Sequence, residues 1–191
     1  MLCGRLFRPL KLRLSSLLMA GFLMFSNGLA YADNAPSESK IKAAFLFKFT
    51  SYVEWPPGSF DAQDSPLIIS VVDADDVAAE LSRLVVGRAV NGHAIVVRRL
   101  GANDAATNSH VLFVASTASN RFGRIVASAR SSAVLTVTEL DDTPTFSSVI
   151  NFVVIDDQVR FDVSLPAAER GNLKISSRLL TVAHQVISVT P

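Results

Sequence analysis

Cysteine is almost missing from this chain: among 191 residues there is one, Cys3. No disulfide can close within the chain, and its body carries no thiol to serve as nucleophile, redox centre or metal ligand. Histidine is scarce too, and His93, His110 and His184 stand too far apart for the short spacing of a metal pair. The nine glycines are scattered singly, so neither a Walker-type run nor the dinucleotide-binding fingerprint is present. Where a phosphate would need bare amides after the apolar run 67–72, the chain reads Val72-Asp-Ala-Asp-Asp76 and offers carboxylates instead. Ser116, His110 and Asp73 could be drawn as a triad, but no Gly-x-Ser-x-Gly frames the serine. Asp73, Asp75 and Asp76 read as acids preferred at a helix N-terminus. No catalytic residue, metal ligand or cofactor is assigned, and the chain is not read as an enzyme.

Acidic residues are absent from the first 32 positions, whereas Arg5, Arg8, Lys11 and Arg13 precede an apolar run from Leu14 toward Leu29. Ala30-Tyr31-Ala32 then supplies the small-x-small pattern read by a signal peptidase, so residues 1–32 are expected to be a cleaved signal peptide. An uncleaved anchor is the alternative, since an apolar run of about 20 residues spans a bilayer. Ser26, Asn27 and Gly28 interrupt the run just before the cleavage pattern and favour removal. Cys3 lies ahead of the run, which is not the place of a lipid-attachment cysteine. Cleavage removes four basic residues and no acid, taking the formal charge from +1 to −3. A mildly acidic domain at 33–191 lacks the clustered cations that nucleic-acid binding needs.

That remainder is sized for one domain. A helix is expected from Ser37, a suitable cap, to Trp55, where Pro56-Pro57 ends it. Its apolar stripe is Ile41, Phe45, Phe49, Tyr52 and Val53. Six of the 15 aromatic residues, Phe45, Phe47, Phe49, Tyr52, Trp55 and Phe60, fall in this stretch. One narrow stripe does not hide so many rings, so the helix is either packed on two sides or presents an aromatic patch to a partner. Strands are expected at 67–72, 94–100, 110–116 and 133–138, with helices at 75–86 and 120–130 between them. A hairpin follows, 149–155 and 159–164 around Asp156-Asp157, and then helices at 166–171 and 176–186. Strands alternating with helices predict an α/β fold: a mixed, largely parallel sheet flanked by helices on both faces, with a C-terminal hairpin and helices.

Several segments together resemble the YfiR family of periplasmic regulators. They are Ile41-Lys-Ala-Ala-Phe-Leu-Phe-Lys-Phe, Tyr52-Val-Glu-Trp-Pro, Gly87-Arg-x-Val-x-Gly, His110-Val-Leu-Phe-Val-Ala-Ser, Val134-Leu-Thr-Val and Ile150-Asn-Phe-Val. Val159-Arg-Phe-Asp-Val-Ser and Gly171-Asn-Leu-Lys-Ile-Ser-Ser-Arg-Leu-Leu complete the set. The resemblance implies an exported, periplasmic α/β domain, often a homodimer, that binds the periplasmic domain of a membrane-bound diguanylate cyclase and represses it. Release would let cyclic di-GMP rise and favour biofilm formation. Three departures stand out: Ser70 and Ser109 occupy positions where the family often has cysteine, Asp162 stands where glutamate is common, and Ser147-Ser148 replaces Gly-Gly.

The candidate partner-binding residues are Glu54, Trp55, Arg160, Asp162, Lys174, Ser176, Ser177 and Arg178. Basic side chains among them could hold a carboxylate or an acidic loop, and aromatic residues anchor interfaces. Each also has a plain structural reading, Trp55 as a core anchor and Ser176 or Ser177 as the cap of the last helix. The competing function is a sensor for a small-molecule ligand, with a pocket between the sheet and the C-terminal helix.

Overall fold

The computed structural model describes residues 36–101, 104–118, 121, 123–125, 133–139 and 148–188. The expected signal peptide 1–32, most of the expected helix 120–130 and Ser147 lie outside these residues. The chain runs α1 (Glu38–Phe49), β1 (Val53–Glu54), β2 (Leu67–Val72), α2 (Asp75–Leu84), β3 (Ala89–Val90), β4 (His93–Leu100) and β5 (Val111–Val114). It continues through β6 (Leu135–Thr138), β7 (Ile150–Ile155), β8 (Gln158–Ser164), α3 (Leu165–Arg170), β9 (Lys174–Ile175), α4 (Ser177–Val182) and β10 (Gln185–Ile187).

Eight strands form one mixed sheet in the order β10-β8-β7-β6-β5-β2-β4-β3. The strands β4, β2, β5, β6 and β7 are parallel neighbours, and the central three, β2, β5 and β6, are near-continuously buried on both faces. Alternation divides their side chains between two layers. Leu67, Ile69, Val71, Val111, Phe113, Leu135 and Val137 join the main core with α1 and α2. Val72, Leu112, Val114 and Leu100 face the other way, with Ala118 and the helical residue Ile125 packed against them. The α/β expectation holds, including the antiparallel β7–β8 hairpin.

Three expectations need correction. The first helix stops at Phe49, not Trp55, because the amides of Ser51 and Tyr52 turn back to Lys48 and Phe49. Val53 and Glu54 are thereby freed to pair antiparallel with Ile175 and Lys174 in a separate two-stranded sheet. The last helix stops at Val182, and Gln185–Ile187 is instead a strand parallel to β8, started by the His184 amide donating to the Phe161 carbonyl at 2.8 Å. The 87–93 turn contains the β3–β4 hairpin, whose Asn91 and Gly92 both take positive φ. Asn-Gly is the strongest short signal for such a turn.

The aromatic segment packs on two sides within its own domain. Phe45 and Phe49 meet Phe152 and Phe161 at centroid distances of 5.0–6.0 Å. Phe47, Tyr52, Trp55 and Phe60 are partly buried against the same core. Of the two readings of this segment, packing on two sides therefore holds over an exposed aromatic patch, because the β7–β8 hairpin supplies the second apolar surface. Ser37 occupies the cap position of α1, but its hydroxyl pairs with Ser39 at 3.1 Å rather than with a helix amide.

Candidate functional site

The short β1–β9 sheet and the residues adjoining it gather six of the eight candidate residues. Its register sets Glu54 opposite Lys174, and both side chains are exposed. Opposite charges across a strand pair support each other modestly and mark the pair with a defined polarity. The Ser176 amide extends the pairing by donating to the Tyr52 carbonyl at 2.9 Å. Ser176 also caps α4, its hydroxyl accepting from the Arg178 amide at 3.3 Å. Ser177 and Arg178 begin that helix and are exposed. Glu54, Trp55 and Lys174 line an open groove together with Pro56 and Leu173.

Arg160 and Asp162 lie on β8, a different strand pair. Arg160 is exposed, faces Val153 across the hairpin and donates to the Gln158 Oε1 at 2.8 Å. Asp162 is paired in register with Gln185, and its carboxylate accepts from His184 Nδ1 at 2.8 Å with only 12 % of its side chain exposed. The eight candidates thus fall into two groups, and Asp162 is already engaged within the chain.

Trp55 is the link to a feature that the sequence did not announce. Its indole Nε1 donates to the His110 carbonyl at 3.3 Å, and its ring meets Phe60 and His110 edge-on. Phe60 is sandwiched between two histidines, with centroids 3.8 Å from His93 and 4.2 Å from His110. His110 Nδ1 accepts from the Ile68 amide at 3.1 Å, which places the ring proton on Nε2, the donor to the Ser59 carbonyl at 3.0 Å. Burial, the largest influence, holds the His110 pKa below the ordinary 6.5. Both ring nitrogens are committed, so His110 is a structural histidine. The triad geometry is also wrong: His110 precedes β5, whereas Asp73 and Ser116 follow β2 and β5. Phe60 and His93 were missed because nothing in their spacing foretells a stacked column.

Beside this column lies a cleft of about 610 Å³ at the amino ends of β2, β5 and β6. Pro57, Ser59 and Asp61 form one wall, and Arg170 and Asn172 stand in the other. In open α/β sheets ligands usually lie at the carboxyl ends of the strands. Here ion pairs occupy that end: Asp73 pairs with Arg121, and Lys42 with Glu139. Among the described residues no group of three His, Cys, Asp or Glu side chains could hold a metal ion. No described helix is long and apolar enough to cross a membrane.

A family model described as YfiR/HmsC-like matches residues 39–184. No curated protein matches the chain.

Proposed function

The chain belongs to the YfiR/HmsC-like family, and from that premise we propose that it is a periplasmic regulator that binds the periplasmic domain of a membrane-bound diguanylate cyclase. Binding holds the cyclase inactive, which lowers cyclic di-GMP and restrains biofilm formation. The observation that carries this reading is the extent of the match, which runs from α1 to beyond the end of α4. The β1–β9 pair is the proposed contact surface, with Glu54, Lys174 and Arg178 exposed on adjoining segments. Exposed charges of both signs suit a contact whose register is set electrostatically. Pairing of two copies of the chain belongs to the same proposal and is read by sedimentation.

Residues 33–191, applied to solubilised membranes, should capture a cyclase with a periplasmic domain, identified by mass spectrometry. Lys174→Glu should weaken capture and raise cellular cyclic di-GMP. Capture of a different receptor, or repression that survives both Lys174→Glu and Glu54→Lys, would overturn the assignment.

The cleft between the Pro57–Asp61 wall and Arg170 favours a second reading, a sensor whose ligand biases partner binding. Calorimetry against periplasmic metabolites tests it, and absence of any heat of binding counts against it.

A further inference from the structure

Residues 56–66 cross the amino ends of the strands as an irregular strap between β1 and β2. Small internal bonds shape it: Ser59 Oγ donates to the Pro56 carbonyl at 2.8 Å, and the Ala62 amide to Ser65 Oγ at 2.9 Å. Its attachment to the sheet runs through two histidines. His110 Nε2 holds the Ser59 carbonyl, and His93 Nδ1 holds the Ser65 carbonyl at 2.6 Å. Phe60, at the middle of the strap, is gripped between the two imidazoles. The same strap contributes Pro56, Pro57, Gly58, Ser59, Asp61 and Ser65 to the wall of the cleft.

We propose that His110 is an acid-released latch: its neutral ring clamps the strap beside the cleft, and proton uptake frees the strap and widens the cleft. The two histidines respond differently to a proton. His93 donates through Nδ1, so a proton on its other nitrogen leaves that bond in place. His110 uses Nδ1 as an acceptor, so a proton there sets two donors, Nδ1–H and the Ile68 amide, against each other at 3.1 Å. The ring must then leave its seat, and Ser59 and Phe60 lose their holder.

The charged groups around the ring act in opposing directions. Burial opposes the proton most, the Ser59 carbonyl and the Asp61 carboxylate favour it, and His93 across Phe60 opposes it. Arg170 also lines the cleft. With the folded value held below 6.5, the closed strap is fully favoured above that pH and loses ground as pH falls through the folded value. With an open form that titrates ordinarily, the fraction open rises as pH falls from about 7.5 to about 5.5, by at most about tenfold.

Trp55 is the chain's single tryptophan and sits against both His110 and Phe60, so its emission reports the latch directly. The experiment follows Trp55 fluorescence and amide exchange of 56–66 across that pH range, with far-UV circular dichroism confirming that the fold persists. The expected result is a fluorescence change and an exchange increase of up to about tenfold after correction for intrinsic rates, both following the titration of the His110 Cε1 proton by NMR. His110→Gln, which keeps an acceptor and a donor but does not titrate, should flatten both responses, while His93→Gln should retain them. If His110→Gln fails to fold, the wild-type NMR titration still decides. Strap exchange that does not change, or that follows a different titration from His110, overturns the proposal.

Discussion

The hydroxyls of Ser70 and Ser109 lie 2.6 Å apart in the interior, joining the middle of β2 to the residue before His110. Both residues are buried, at 0 % and 5 % exposure, so each hydroxyl depends on the other. Removing one strands its partner: Ser70→Ala should cost about 1–3 kcal/mol in chemical denaturation. Two side chains in such contact have Cβ atoms near disulfide spacing. The pair Ser70→Cys and Ser109→Cys should therefore cross-link on oxidation and add about 2–4 kcal/mol relative to the reduced form. A midpoint that ignores reductant would show that the geometry does not admit the bond.

Lys42 is buried at 9 % exposure on α1 and is held by Glu139, at the end of β6, and by Glu38, one turn earlier at 2.5 Å. Glu139 also accepts the Ser116 amide at 3.1 Å, so one carboxylate joins α1, β6 and the segment after β5. Burial, the largest single influence, lowers the Lys42 pKa, but the two carboxylates together outweigh it and hold the value above 10.5. This stability is complete below the unfolded value and is lost as pH rises through the folded one. Glu139→Gln should cost about 1.5–3 kcal/mol at neutral pH and shrink the loss of stability seen at strongly alkaline pH. Urea titrations of both proteins at neutral and alkaline pH check the sign.

The β7–β8 turn places Asp156 at φ +49° and Asp157 at φ +58°. Both values fall in the left-handed region, which strains Cβ and which aspartate tolerates better than most side chains. Asp157→Gly creates Asp-Gly, the pairing favoured in two-residue hairpins; relief of about 1–2 kcal/mol of left-handed strain, less about 0.5–1 kcal/mol of added chain entropy, should raise stability by about 0.5–1 kcal/mol. Thermal unfolding reads the gain directly, and a lower midpoint would mean that the Asp157 side chain supports the turn.

Much of this fold was legible because its strands are long apolar runs separated by helices. Leu67–Val72 and Val111–Val114 could hardly be anything but buried parallel strands. The short pairings were not legible. Val53–Glu54 meets Lys174–Ile175 across some 120 positions of sequence, and two-residue strands carry no periodicity to read. Gln185–Ile187 looked helical because Leu179, Leu180 and Val182 are a helical stripe that simply runs on into it. At the candidate site, proximity in sequence found Glu54 with Trp55 and Lys174 with Ser176. It could not reveal that tertiary pairing joins these two groups, or that Asp162 stands apart from them.

Asp162 separates a structural role from a contact role. Its carboxylate holds His184, and the next residue, Gln185, opens β10 in register with it. Two of the exposed large apolar residues, Val182 at 61 % and Val186 at 37 %, flank this attachment, so little burial holds β10 beyond the hydrogen bonds. Asp162→Ala should loosen the strand by about 1 kcal/mol, seen as several-fold faster amide exchange at 184–187, while the Ser176 amide, bonded to Tyr52, keeps its protection. If Asp162 acts chiefly by holding β10, partner capture should fall in parallel with that loosening and recover when β10 is cross-linked back to β8. Capture lost while exchange at 184–187 stays slow would instead make the carboxylate a direct contact, with β10 only its neighbour.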